Sequence, residues 1–185
     1  MRPAAIDRIC IIFFLLTGWI FLPAHLLSQG YDWRSKIDVK VQIADSLAMR
    51  SQNTFHLNKF IQNDRPIRET WHYTVFHGKV VIFEVHYFVD SLEYQEVYYL
   101  DRDQIICMEQ YEILYPAHAD DRILWGTVGF FENQSLRQYI TMGRVQQDDL
   151  LPEWDAINRF KSRYKELVAT RPLLEKELKE ANFVP

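Results

Sequence analysis

The sequence predicts an α+β domain: an antiparallel sheet of about six strands with an amphipathic helix packed on it at each end. Three observations carry this. Residues 69–142 are dominated by β-branched and aromatic side chains and are cut at short intervals by turn clusters. After Gly143 the apolar period changes from two to 3.6. Ahead of the sheet, residues 33–50 carry apolar side chains at helical spacing.

The chain opens with three consecutive regions. Arg2 and Arg8 give a basic start, Ile9 to Leu22 is almost unbroken Ile, Phe, Leu and Trp, and Ser28-Gln29-Gly30 supplies a small, polar exit after Pro23. That order is the signature of a secretory signal over residues 1–30, with cleavage after Ser28 or Gly30. The competing reading is an uncleaved anchor, since extending the run to Leu27 makes it just long enough to span a bilayer. Pro23 and His25 count against the anchor. Export to the periplasm or the medium follows from the signal reading, with no membrane attachment after cleavage.

Residues 31–185 then form one domain's worth of chain, large enough to bury a core without disulfides. Cys107 is the only cysteine left. With residues 1–30 removed, 19 basic and 24 acidic residues remain, a net charge of −5. Arg159, Lys161, Arg163 and Lys165 recur at every second residue, which scatters them around a helix. Nucleic-acid binding is not expected of such a domain.

Residues 31–68 read as a helix and a connection. Ile37, Val41, Ala44, Leu47 and Ala48 keep helical spacing, and Asp38, Gln42, Asp45 and Ser46 gather opposite. Alternation at Ile37, Val39, Val41 and Ile43 keeps a strand open as the alternative. Residues 51–68 are mostly polar and read as the connection, with a short strand over Phe55 to Ile61 as the element it could hold.

Turns at His77-Gly78-Lys79, Asp90-Ser91, Asp101-Arg102-Asp103, Pro116 to Asp121 and Asn133-Gln134-Ser135 divide the sheet into strands near 69–76, 80–89, 95–100, 104–115, 123–131 and 136–142. Connections this short demand antiparallel pairing. A three-residue loop Phe76-His77-Gly78 keeps Trp71, Tyr73, Val81, Phe83, Val85, Tyr87 and Val89 on one face. A weak repeat runs through the region. Val97 to Asp101 followed by Ile105 matches Val128 to Glu132 followed by Leu136, and more loosely Tyr73 to His77 followed by Val81.

Residues 150–181 read as helices. Trp154, Ile157, Phe160, Tyr164, Leu167 and Val168 fall within an arc of about 140° at helical spacing. Pro152 suits a helix start, and Pro172 is expected to end the first helix and open a second.

The runs "VYYLDRDQIICME" from Val97 and "FFENQSLRQYI" from Phe130 resemble hairpins of small exported bacterial domains of uncharacterised function, of which PepSY-like and MORN-variant proteins show the same grammar. The resemblance covers about half of the mature chain. The Asp-Gly-Lys turn of those hairpins is replaced here by Arg102-Asp103 and Asn133-Gln134. It implies a helix lying on an antiparallel sheet and a role in binding, inhibition or envelope assembly, and it transfers no site residue.

Candidate chemistry is sparse. His72, Glu84 and His86 share a face and are zinc-ligand types, but the three-residue loop places His86 opposite Arg68, about 13 Å along the strand from His72. No metal or other cofactor is therefore expected. Cys107 lies between Ile106 and Met108 and reads as a core cysteine. Asp101 and Asp103 lack the later ligands of a calcium loop. Asn133-Gln134-Ser135 fits a glycosylation acceptor on a turn. No nucleophile elbow, zinc-protease or phosphate-loop motif is present, so no catalytic residue is assigned. Tyrosine is abundant in the middle strands, and Tyr98, Tyr99, Tyr111 and Tyr139 are the candidate partner-binding face, open unless the N-terminal helix covers it. The expected function is a non-enzymatic binding or inhibitory module holding another envelope or extracellular protein. An accessory subunit of an envelope complex is the second reading and a small hydrolase the third.

Overall fold

The computed structural model describes residues 33–61, 65–116, 120–143 and 152–181. The expected signal segment lies outside the described residues. The chain divides into two units, the second of which begins at Ile37. The strands and the C-terminal helix all belong to the second.

The order is helix α1 (Trp33–Ala48), strands β1 (Asn53–Ile61), β2 (Arg65–Phe76), β3 (Lys79–Val89), β4 (Leu92–Asp101), β5 (Gln104–Leu114), β6 (Arg122–Glu132) and β7 (Ser135–Gly143), then helix α2 (Pro152–Ala181). The strands form one antiparallel sheet in sequence order, β1 to β7. The α+β class holds, with seven strands in place of six. The seventh is β1, whose Phe55 is buried beside Trp71 while Thr54 and His56 point to the other face. Five of its nine side chains are polar, which is why the sequence shows it only as a short strand, Phe55 to Ile61, within a connection.

In α1 the helical reading is the one realised. Ile37 and Ala44 are buried, whereas Val39 and Ile43, the members peculiar to the strand alternative, are more than half exposed.

Three hairpins share one construction. The pairs His77 and Gly78, Arg102 and Asp103, and Asn133 and Gln134 all have positive φ, as a two-residue type I′ turn requires. Each is followed by one extra residue in the return strand: Val81, Ile106 and Arg137 are skipped by the ladder. The expected three-residue loop at Phe76 is thus replaced by a two-residue turn and a bulge. The bulge restores pleat parity, so Trp71, Tyr73, Phe83 and Val85 still share the core face, with Val80 taking the place expected for Val81. Val75, Leu100 and Phe131 are equivalent positions, as are Val80, Ile105 and Leu136. The sequence repeat is therefore a turn-and-bulge unit whose first copy sits one residue from where the sequence aligns it.

Helix α2 packs on the core face through Ala156, Phe160 and Leu167, against Trp71, Phe83, Tyr98, Leu100 and Met108. It is one helix, with Pro172 inside it. Proline removes one backbone bond and costs about 3 kcal/mol in a helix interior. Here Pro172 is exposed, and packing of Leu167 before it and Leu174 after it, with the Arg171–Glu175 pair spanning it, holds the helix continuous.

Candidate functional site

On the core face the buried stripe of α2 is Ala156, Phe160, Arg163 and Leu167. At 100° per residue that stripe is turned by about 80° from the apolar arc read in the sequence. The cause lies in the sheet, where Glu69 and Glu96 are buried beneath the helix. Arg163 donates to Glu69 Oε1 at 2.7 Å and to Glu96 Oε2 at 2.9 Å, and its guanidinium lies 5.5 Å from the Trp71 ring. Trp71 Nε1 and Tyr98 OH donate to the same two carboxylates. Burial alone would lower the guanidinium's pKa, but the hydrogen bonds and charges of Glu96 and Glu69 outweigh it and raise it. Arg163 is a charged residue at a core position because two buried acids need it.

This rotation leaves the flank of α2 half covered. Ile157, Phe160, Tyr164 and Val168 line a groove of about 370 Å³ closed on the far side by Ile105 and the hairpin tips at Gln104 and Gln134.

The second face is covered unevenly. Where α1 lies over it, Ile82, Val97, Tyr99, Cys107 and Phe130 are buried, Tyr99 OH donates to Asp45 Oδ1 at 3.0 Å, and Lys40 pairs with Asp101. Beyond α1 the same face carries Phe88, Tyr115, Ile123, Ile140 and Met142, each between 37% and 56% exposed. Tyr111 lies across Gly126 against Met142: a Cβ on Gly126 would come within 2.9 Å of the tyrosine ring. Glycine is what lets that ring lie flat on the sheet.

The four tyrosines singled out in the sequence do not form one surface. Tyr98 is buried on the α2 face and Tyr99 under α1, while Tyr111 and Tyr139 are half-buried on opposite faces. Adjacent residues of a strand point to opposite faces, and an abundance of tyrosine carries no information about which.

The histidines are nearer than the sequence register implies. Because of the bulge, His72 faces Glu84 and His86 faces Thr70, and the His72 and His86 rings are 5.5 Å apart. They still make no metal set: among the described residues no group of three or more His, Cys, Asp or Glu side chains could hold a metal ion. Instead His86 is clasped between carboxylates, Nδ1 at 2.9 Å from Glu93 and Nε2 at 3.1 Å from Glu84. Burial pulls its pKa down, but those hydrogen bonds and charges outweigh it and raise it. His72, held to Thr54 Oγ1, is lowered by burial and by the neighbouring His86. Tyr115 OH donates to Glu93 and completes the cluster.

Cys107 is a buried thiol, as expected. Asp101 and Asp103 are ion-pair partners of Lys40 and Lys79. No helix among the described residues is long and apolar enough to cross a membrane. Comparison with protein-family models, with curated proteins and with solved structures finds no match to this chain.

Proposed function

We propose that the chain is an exported, non-enzymatic binding module of the cell envelope, and that it holds another envelope or extracellular protein on the open part of its second sheet face. One observation carries the reading: Phe88, Tyr115, Ile123, Ile140 and Met142 lie together on strand positions of one face and stay exposed beyond α1. Contiguous exposed apolar side chains on a rigid sheet are a partner surface more often than a neutral one, and aromatic residues and methionine are enriched at such surfaces. The basic start, apolar run and small-residue exit of residues 1–30 support export.

A photocrosslinking side chain placed at Ile123 or Ile140 in living cells tests it. A discrete adduct is expected from both positions, lost when Met142→Asp is added, and absent from a control at Lys176 on α2. The same adducts from Lys176, or none from the strip, would end this reading.

A further inference from the structure

We infer that the groove beside α2 is a binding site for a single-chain aliphatic carboxylate. Its walls are apolar: Ile105, Ile157, Phe160, Val168 and the ring of Tyr164. Its rim carries Lys161 and Lys165, one helical turn apart and both exposed. Among the described residues neither lysine is in an ion pair. The acid at the rim, Asp103, is already engaged by Lys79 and by Tyr164 OH at 2.6 Å, so its charge is answered before any ligand arrives. Apolar walls beside two uncompensated ammonium groups match an apolar body with an anionic head.

Size and shape narrow the class. About 370 Å³ is at the lower end of the small-molecule range of roughly 300–1,000 Å³, so one chain fits better than a two-chain lipid. The site is also concave, walled by the helix on one side and the hairpin tips on the other. A bilayer surface is engaged by apolar side chains that project outward, and a groove between two elements cannot do that. Arg163 takes the central core position on α2, which leaves Ile157 and Tyr164 packed at the core's edge and Val168 half exposed, where they form the groove wall. The groove lies on the opposite face from the proposed partner strip, so either can fail while the other stands.

The test is calorimetric titration of the full chain with sodium dodecanoate below its micelle concentration. Saturable one-to-one binding is expected. Lys161→Glu combined with Lys165→Glu should weaken it at least tenfold with the melting temperature unchanged. Val168→Trp, at a half-exposed helix position that tolerates bulk, should fill the groove and abolish binding. Dodecanol, with the same chain and no charge, should bind at least tenfold more weakly. The inference is overturned by absence of saturation, by equal affinity for dodecanol, by unchanged affinity in the lysine variant, or by binding to phosphatidylglycerol vesicles in place of dodecanoate.

Discussion

Arg163 Nη1 donates to Glu69 Oε1 over 2.7 Å, joining residues 94 positions apart and fixing which face of α2 meets the sheet. The same guanidinium reaches Glu96, and both acids are buried. Among the described residues, removing it leaves buried Glu96 with only the half-exposed Arg159 at 3.7 Å as a cation, and buried Glu69 with only the partly exposed Lys59 at 3.2 Å. Arg163→Met is therefore expected to lose about 3–5 kcal/mol, the scale for breaking a buried pair from one side. The triple variant Arg163→Met, Glu69→Gln, Glu96→Gln should recover much of that loss, because no buried charge is left unpaired. Urea melts of both variants measure this, and a triple variant no more stable than the single one would show that the charges are not the cause.

Phe160 is the apolar counterpart on the same helix. It is buried, with ring centroids 5.9 Å from Tyr98, 5.5 Å from Tyr164 and 6.4 Å from Phe83. Phe160→Ala should cost about 3–5 kcal/mol through lost contact and the cavity left behind. Arg159, the adjacent residue, is half exposed and stands 3.7 Å from Glu96, behind the closer Arg163. Arg159→Ala should change stability by no more than about 0.5 kcal/mol. Equal losses in denaturant melts would mean that α2 does not dock through Phe160.

Local rules made much of this fold legible in the sequence. Helical spacing picks out Ile37 and Ala44 in α1, and the turn clusters locate every strand from β2 to β7. Long-range chemistry was not legible. The apolar arc of α2 misplaces the helix face because nothing local says that Arg163 will meet Glu69 and Glu96. Strand β1 is foreshadowed only by the short strand read over Phe55 to Ile61 and is not counted in the sheet, because as an edge strand it presents Thr54 and His56 on one face and mixes Phe55 and Leu57 with Asn53 and Lys59 on the other. The skipped residues Val81, Ile106 and Arg137 decide which side chains share a face, and with it where His72 stands relative to His86. The tyrosines fail as a site for the same reason: composition counts them, and only register sorts them.

The histidine cluster has a signed dependence on pH. His86 is raised above its ordinary value of 6.5, so its folded form favours the charged ring between Glu84 and Glu93. Its contribution is fully present below about pH 6.5 and is lost as pH rises through the higher, folded value. His72 is lowered and acts in the opposite sense, losing stability as pH falls. The comparison is therefore cleanest on a His72→Gln background. There, adding His86→Gln should destabilise the chain most below about pH 6.5, and the gap should narrow above it. A gap that is flat or widens with pH would contradict the double clasp.

Three buried polar atoms, Gln110 Nε2, Trp125 Nε1 and Thr127 Oγ1, make no hydrogen bond among the described residues. Gln110 and Thr127 are direct partners across β5 and β6, and Trp125 is two positions along β6 from Thr127. A buried hydroxyl without a partner has given up its bonds to water and gained nothing in return, a cost of about 1–3 kcal/mol. Thr127 is fully buried, and valine copies its shape and its preference for strands. Thr127→Val is therefore expected to stabilise the domain by about 1 kcal/mol. Thr74 supplies the control. It too is buried, but its Oγ1 donates to the Ser51 carbonyl at 3.0 Å. Thr74→Val should lose about 1 kcal/mol, since it breaks that bond and leaves the carbonyl short of a donor. Thermal melts of the two variants should move in opposite directions. If both fall, the Thr127 hydroxyl is bonded in solution, and the polar group across β5 and β6 is satisfied from a source other than these side chains.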